Sequence, residues 1–183
     1  MDYSWAKPIT TVEFLRGPET LRRRELVCGV VREPPAPFYS HQRLLTDLAV
    51  ALHEHVREHD LGEIVVSPID VVLDRAKGLV LQPDLVFLSS ENRKLIRNQI
   101  WGAPDLLVEV LSPGSQSYDK RRKLGWYRQY GVREYWVVDP YSNVVLVHAL
   151  ASKRRPQVFG LRRTLRSTVL PELRLPVAGV FRS

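Results

Sequence analysis

Glu109 stands inside an otherwise apolar run, Leu106-Leu107-Val108-Glu109-Val110-Leu111. A carboxylate in a core strand is costly unless it is paired, hydrogen-bonded or bound to a cation. Asp84 repeats the pattern in Gln82-Pro83-Asp84-Leu85-Val86-Phe87-Leu88, at the start of another apolar strand. Taken alone, Asp84 is better read as an arginine partner or a frayed strand end. Taken together on neighbouring strands, the two acids would repel and raise each other's pKa. A divalent metal removes that conflict, and an oxygen-only donor set favours Mg²⁺ or Mn²⁺ over zinc. A third group follows: Asp119, Lys123 and Tyr127 recur at helical spacing and share a side. From the helix alone, Asp119 and Lys123 make a surface pair worth a few tenths of a kcal/mol. Beside a metal, the same lysine can polarise a water or stabilise developing charge on phosphorus.

The elements that must position these groups follow from periodicity and breakers. Residues 1–36 are mixed, with Arg22-Arg23-Arg24 ahead of a short strand-type run, Glu25 to Val31, and a stiff break at Pro34, Pro35 and Pro37. Ser40 caps a predicted helix over about 41–59, whose Leu45, Leu48, Leu52 and Val56 form one apolar stripe. His41 falls one turn before Leu45, beside that stripe. Ile64 to Leu73 and Leu79 to Leu88 read as strands joined by a hairpin turn at residues 74–78. A polar link from Glu91 to Gln99, expected helical, leads to the Glu109 strand, which is apolar enough to be covered on both faces. Ser112-Pro113-Gly114-Ser115 stops that strand, and a second helix over Tyr118–Tyr130 ends at Gly131. Two more strands flank the turn Asp139 to Asn143, and short β-type pieces complete the tail. The order of helix, three strands, helix and strand predicts an α/β or α+β fold around a mixed sheet.

Composition sets the outer limits. The 183 residues are 44% hydrophobic and 26% charged, which excludes a disordered chain. The length suits one domain. No stretch approaches the roughly 18 apolar residues of a membrane helix, and Met1 to Lys7 has no run of signal-peptide type. The single cysteine, Cys28, allows neither an internal disulfide nor a zinc cluster, so a reducing, cytoplasmic setting is expected. The formal net charge of +7 is localised. Residues 1–150 hold 19 basic and 19 acidic side chains, whereas residues 151–183 hold eight basic ones (Lys153, Arg154, Arg155, Arg162, Arg163, Arg166, Arg174, Arg182) against Glu172. A basic segment suits a polyanion, most simply nucleic acid, although solubility alone would account for solvated arginines.

These residues resemble the Uma2 family, prokaryotic proteins regarded as restriction endonucleases within the PD-(D/E)XK nuclease superfamily. The resemblance rests on Gln82-Pro83-Asp84, on Pro104-Asp105 through Ser112-Pro113, on Asp119, Lys123-Leu124, Tyr127, Gly131-Val132, Glu134-Tyr135-Trp136 and Asp139-Pro140. Glu25-Leu26, Gly29-Val30, His41-Gln42 and Leu173 to Pro176 extend it over nearly the whole chain. It implies a restriction-endonuclease-like αβββαβ core, a mixed β-sheet flanked by helices. It implies a single nuclease-like domain over 1–183, with an N-terminal extension (1–36) and a basic β-rich tail (151–183). It assigns Asp84 and Glu109 as metal-binding acids and the Val110 backbone carbonyl as third oxygen ligand. Leu111 departs from the family's E-x-K form, so Lys123 is expected to supply the lysine from the helix. Glu25 and His41 would stand beside the site as supporting groups or further metal ligands, with Asp119 and Tyr127 near Lys123. Asp105 is expected to be structural, and Asp70 contributes only if the sheet places it beside Asp84. The implied activity is Mg²⁺- or Mn²⁺-dependent hydrolysis of phosphodiesters in DNA, with Arg121, Arg122, Lys153, Arg154, Arg155, Arg162 and Arg163 holding the backbone. Duplex cleavage would favour a homo-oligomer. The competing expectations are a DNA-binding or assembly protein without catalysis, a hydrolase of another phosphate ester, and a structural oligomer with ion-paired acids.

Overall fold

The computed structural model describes residues 8–112, 118–152 and 154–181, and for residues 118–120 the backbone alone. The Asp119 side chain, Lys153, Arg182 and the strand stop at Pro113, Gly114 and Ser115 therefore lie outside the described residues. In chain order the elements are α1 (Thr11–Leu15), β1 (Glu25–Val27), β2 (Val30–Arg32), α2 (Tyr39–Glu58), β3 (Gly62–Val66), β4 (Val71–Asp74), β5 (Leu79–Leu81) and β6 (Leu85–Ser89). A 3-10 turn over Ser90–Leu95 precedes β7 (Ile100–Trp101) and β8 (Leu106–Val110). Then come α3 (Tyr118–Tyr130), β9 (Glu134–Asp139), β10 (Val144–Ala149), β11 (Gln157–Gly160), β12 (Thr164–Leu165), β13 (Leu175–Pro176) and α4 (Val177–Val180).

The fold is the expected mixed α+β arrangement. A six-stranded sheet in the order β11-β10-β9-β8-β6-β3 lies at the centre, with β8 parallel to β9 and antiparallel to β6. A five-stranded sheet, β2-β1-β5-β4-β7, packs beside it. As its composition requires, β8 is central. Leu106, Val108 and Val110 point to the side covered by the stripe of α2 and by tail residues such as Leu165, Leu170 and Val177. Leu107 and Leu111 point to the other side, against Tyr127 of α3 and Val71, Leu79 and Leu81 of the second sheet. Phe14 of α1 closes the far face of that second sheet with Leu26, Val72 and Val80.

The two long runs expected as one hairpin are each broken in the middle. Ile64 to Leu73 becomes β3 and β4, separated by residues 67–70, and Leu79 to Leu88 becomes β5 and β6, separated by Gln82-Pro83-Asp84. Pro68 and Pro83 lack an N–H and cannot continue a ladder. Both arms therefore turn at the same level, tied by the Ser67 N–H donating to the Asp84 carbonyl (3.0 Å). The inner halves, β4 and β5, pair in the five-stranded sheet, and the outer halves, β3 and β6, pair in the six-stranded one. This corner carries Asp84.

Two further expectations shift. α2 starts at Tyr39 with Phe38 as its cap, without a side-chain hydrogen bond, so Ser40 lies inside the first turn. The proline-rich approach already delivers Phe38 in an extended conformation (φ −72°, ψ 161°), and the helix begins as soon as the prolines end. The link after β6 is helical only as the short 3-10 turn. α3 matches its expected span, and Gly131, at φ +91°, ends it in the left-handed conformation glycine favours.

Candidate active site

The antiparallel register pairs Leu85 with Val108 and Val86 with Leu107, so its continuation sets Asp84 opposite Glu109 at the end of β6 and β8. Side chains directly opposite share a face. Here that is the face covered by α3. The two acids that stood out in the sequence are thus brought to one end of the central sheet.

Asp84 is 2% exposed and held by three donors. Arg23 Nη1 donates to Oδ1 (2.7 Å), the Val110 N–H donates to Oδ2 (2.7 Å), and His41 Nε2 lies 3.3 Å from Oδ2. Burial pushes this carboxyl upward. The His41 contact, the Arg23 charge and the Val110 N–H outweigh it and hold the pKa below the usual aspartate value. In an extended strand the N–H and C=O of one residue lie on the same edge. The Val110 carbonyl is accordingly on the edge that faces Asp84.

Glu109 has the opposite balance. Lys123 Nζ donates to both of its oxygens (3.0 and 3.2 Å), and the Tyr127 hydroxyl donates to Oε1 (2.8 Å). Burial nevertheless raises its pKa, and Asp84 and Glu25 add to the rise against Lys123 and Arg23. Burial is the largest cause, and the like charge expected from the sequence adds to it at Glu109, whereas Asp84, expected to rise as well, is held low by its donors.

Lys123 is buried rather than at the surface. Its Nζ bridges Glu109 and Glu25, the latter at 2.8 Å. Burial opposes its charge, but Glu109 and Glu25 outweigh that and hold its pKa above the ordinary lysine value. Leu111, at the position where an E-x-K motif would place lysine, is 7% exposed in the core beside Tyr127. The helix thus delivers an ammonium to the carboxylate that the strand's own lysine position leaves unpaired. Tyr127 is wholly buried, edge-on to Tyr135 with ring centres 5.0 Å apart, and burial together with Glu109 keeps its hydroxyl protonated well above pH 10.

Glu25 was expected beside the site as a supporting group or further metal ligand. It joins the site, accepting from Lys123 and from the Gln82 N–H (3.2 Å). His41 joins through Asp84, while its Nδ1 is buried without a hydrogen-bond partner among the described residues. Among the described residues, Asp70 meets the site through Gln82, whose Nε2 donates to it (2.9 Å). Asp105 is structural as expected, accepting from the Ser89 N–H (2.7 Å), Asn92 (2.9 Å) and Arg133 (2.9 Å).

The sequence reading missed Arg23 as a site residue. Its guanidinium donates to Asp84 and, through Nε and Nη2, to the Gln82 carbonyl. The available signal was its spacing: residues 23 and 25 share a side in an extended chain, and Glu25 was already a candidate.

The basic residues divide. Arg121 is exposed on α3, and Arg122 lies over the Trp126 ring at 5.1 Å. Arg154, Arg155, Arg162 and Arg163 are exposed in the tail. Arg154, Arg155 and Arg166 line a cavity of about 360 Å³ with Val147 and Thr168. Val147 belongs to the α2 side of the sheet, so this cavity opens on the face opposite the acids.

Among the described residues, no three His, Cys, Asp or Glu side chains are grouped so as to hold a metal. Two carboxylates and a strand carbonyl remain as the protein's oxygen donors. That fits Mg²⁺, which is usually bound by one or two carboxylates and completes its shell with water and substrate phosphate.

Residues 11–178 match the Uma2 family, described as "Putative restriction endonuclease". No curated protein sequence matches the chain. Among solved structures, a DUF820 protein from Anabaena variabilis ATCC 29413, titled a putative nuclease, superposes with a TM-score of 0.82. The two are 22% identical over 95% of this chain and 98% of the other, a likeness of fold.

Proposed function

Given that the chain belongs to the Uma2 family, we propose that it is a metal-dependent endonuclease of the PD-(D/E)XK superfamily that hydrolyses phosphodiester bonds in DNA. One observation carries this reading: buried Lys123 reaches from α3 to both oxygens of Glu109, opposite Asp84, where a nuclease of this type needs its lysine. In this reading the whole chain is one nuclease domain, acting as a homo-oligomer.

Asp84, Glu109 and the Val110 carbonyl would hold Mg²⁺ or Mn²⁺, which when bound supplies Lewis acidity and a more acidic water. Lys123, fixed by Glu25, presents its ammonium to the attacking water and to the charge that develops on phosphorus. Tyr127 fixes the rotamer of Glu109 by donating to Oε1. His41 and the Val110 N–H orient Asp84 from the other side. Arg121, Arg122 and the tail arginines hold the DNA backbone, with affinity that falls steeply with salt.

The second reading is a DNA-binding or assembly protein that keeps the fold without cleaving. It is favoured by the closed pairing of the acids, since Arg23 and Lys123 already neutralise Asp84 and Glu109. A plasmid-nicking assay in Mg²⁺ and in Mn²⁺ separates the two. Wild-type protein is expected to cut, and Glu109→Gln and Asp84→Asn to cut about 10³-fold more slowly, equivalent to about 4 kcal/mol of lost transition-state stabilisation. DNA binding without cleavage by the wild type, or full cleavage by Glu109→Gln, would overturn the nuclease reading.

A further inference from the structure

We propose that Arg23 is an exchangeable counter-cation of the acid cluster: its guanidinium and a divalent metal compete for Asp84, and loading the metal releases the arginine from that carboxylate. The proposal rests on the metal-site reading above and adds to it a residue that works against binding.

Three observations lead there. The first is position. Arg23 Nη1 sits 2.7 Å from Asp84 Oδ1, the carboxylate oxygen that neither His41 nor the Val110 N–H engages. Those two hold Oδ2, so Oδ1 is the atom left for a metal, and Arg23 occupies it. The charges of Glu109 and Glu25 also act on this guanidinium, which places it within the field of the whole cluster.

The second is charge balance. With the acids ionised, Asp84, Glu109 and Glu25 face the cations of Arg23 and Lys123, leaving one negative charge when His41 is neutral. Adding a divalent ion with both cations in place would leave one positive charge instead. Moving Arg23 off Asp84 toward the more exposed rim reduces that positive excess, which is favoured where charges are poorly solvated.

The third is freedom to leave. Lys123 is tied by three contacts from the middle of a helix, its side chain 11% exposed. Arg23 lies in the irregular segment before β1, with its side chain 21% exposed. Its Nε and Nη2 hold the Gln82 carbonyl independently of Asp84. It can therefore give up the carboxylate and keep an anchor at the rim. Of the two cations, Arg23 is the one built to move.

The test is calorimetric titration of the full chain with Mn²⁺, in the absence of DNA, for wild type, Arg23→Gln and Asp84→Asn. Arg23→Gln is expected to bind Mn²⁺ at least about tenfold more tightly than wild type, and Asp84→Asn to lose the binding. In thermal melts, Mn²⁺ should raise the Tm of Arg23→Gln by more than that of wild type, because the variant leaves a buried carboxylate that the ion can satisfy. Should Arg23→Gln fail to fold by near-ultraviolet circular dichroism, Arg23→Lys, which keeps a charge but not the planar fork, is expected to bind Mn²⁺ about threefold more tightly. An unchanged or weaker Mn²⁺ affinity in the folded variant, with wild type binding normally, overturns the exchange and leaves the metal site standing. Absence of Mn²⁺ binding in every variant overturns both.

Discussion

Two ends of neighbouring strands bury carboxylates in opposite ways. At the start of β9, Glu134 is fully buried and accepts from Trp136 Nε1 (2.7 Å), Ser167 Oγ (2.6 Å) and the Thr168 N–H (2.8 Å). Asp105, next to it at the start of β8, is equally buried and accepts from a backbone N–H, an amide and an arginine. Neither faces a second acid among these partners. At the far end of β8, Asp84 and Glu109 face each other, with Glu25 joined through Lys123. The difference teaches that burial of a carboxylate is not itself a sign of chemistry. Glu134 and Asp105 are acceptors surrounded by donors, which stabilises a fold and fastens the tail to the sheet. The other end gathers three acids against the two cations Arg23 and Lys123, which is wasteful for stability and useful for binding a cation.

Substitutions can break that contrast, beginning with the largest effect. Lys123→Met should destabilise the chain by about 3–5 kcal/mol, because it leaves Glu25 and Glu109 buried without their shared cation. Urea unfolding would measure it, and a loss below about 1 kcal/mol would mean that the cluster is well solvated. Glu134→Gln replaces two acceptor oxygens by one and points amide hydrogens at existing donors, for a cost of about 1–3 kcal/mol. Its Mn²⁺ affinity should match wild type; a change in that affinity would show that the two ends are coupled.

Asp105 gives the pH-dependent form of the comparison. Burial raises its pKa, but the Ser89 and Asn92 hydrogen bonds and Arg133 hold it below the ordinary value of 3.8. A depressed folded pKa means the unfolded chain binds the proton more readily. The resulting stability is present above pH 3.8 and is lost as pH falls through the folded value. Acid titration of unfolding free energy should therefore be flatter in Asp105→Asn than in wild type over that window. An identical slope in the two would remove Asp105 from the structural side of the comparison.

The smallest effect belongs to the tail. Arg154→Ala, Arg155→Ala and Arg166→Ala are expected to leave stability within about 0.5 kcal/mol, since all three are exposed. Each that contacts a phosphate should lower the salt slope of DNA binding by about one. An unchanged slope in the triple variant would remove the cavity-lining arginines from DNA contact.

How much of this could be read beforehand differs by kind of residue. Glu109 and Asp84 declared themselves because each breaks an apolar pattern, and such a break is visible within a few residues. The span of α3 and its end at Gly131 were legible for the same reason, as local periodicity and a local stop. The split of the long hairpin into two sheets was marked by Pro68 and Pro83, but the prolines state only that a ladder ends. They do not state where the chain goes next. Arg23 was hidden because its partner is 61 residues away. Lys123 was legible as a candidate and ambiguous in role, because helical spacing gives a side but not what that side faces.

By itself, then, the sequence determined the two long helices and the central β8 run, the two acids that no apolar strand should tolerate, and the confinement of excess positive charge to the last 33 residues. Only the tertiary structure decided that Lys123 is buried between Glu109 and Glu25, that Arg23 sits on the free oxygen of Asp84, and that the cavity-lining tail arginines open on the opposite face of the sheet. The physical reason is range. Hydrogen bonds within an element and the alternation of its side chains repeat every few residues and leave a local pattern. Ion pairs between elements depend on how the chain turns at the corner between the sheets, and one sequence of charges is compatible with many such turns. The corner at Pro68 and Pro83 brings Arg23, Asp84, Glu109 and Lys123 into one low-dielectric volume, where their charges must be balanced against one another.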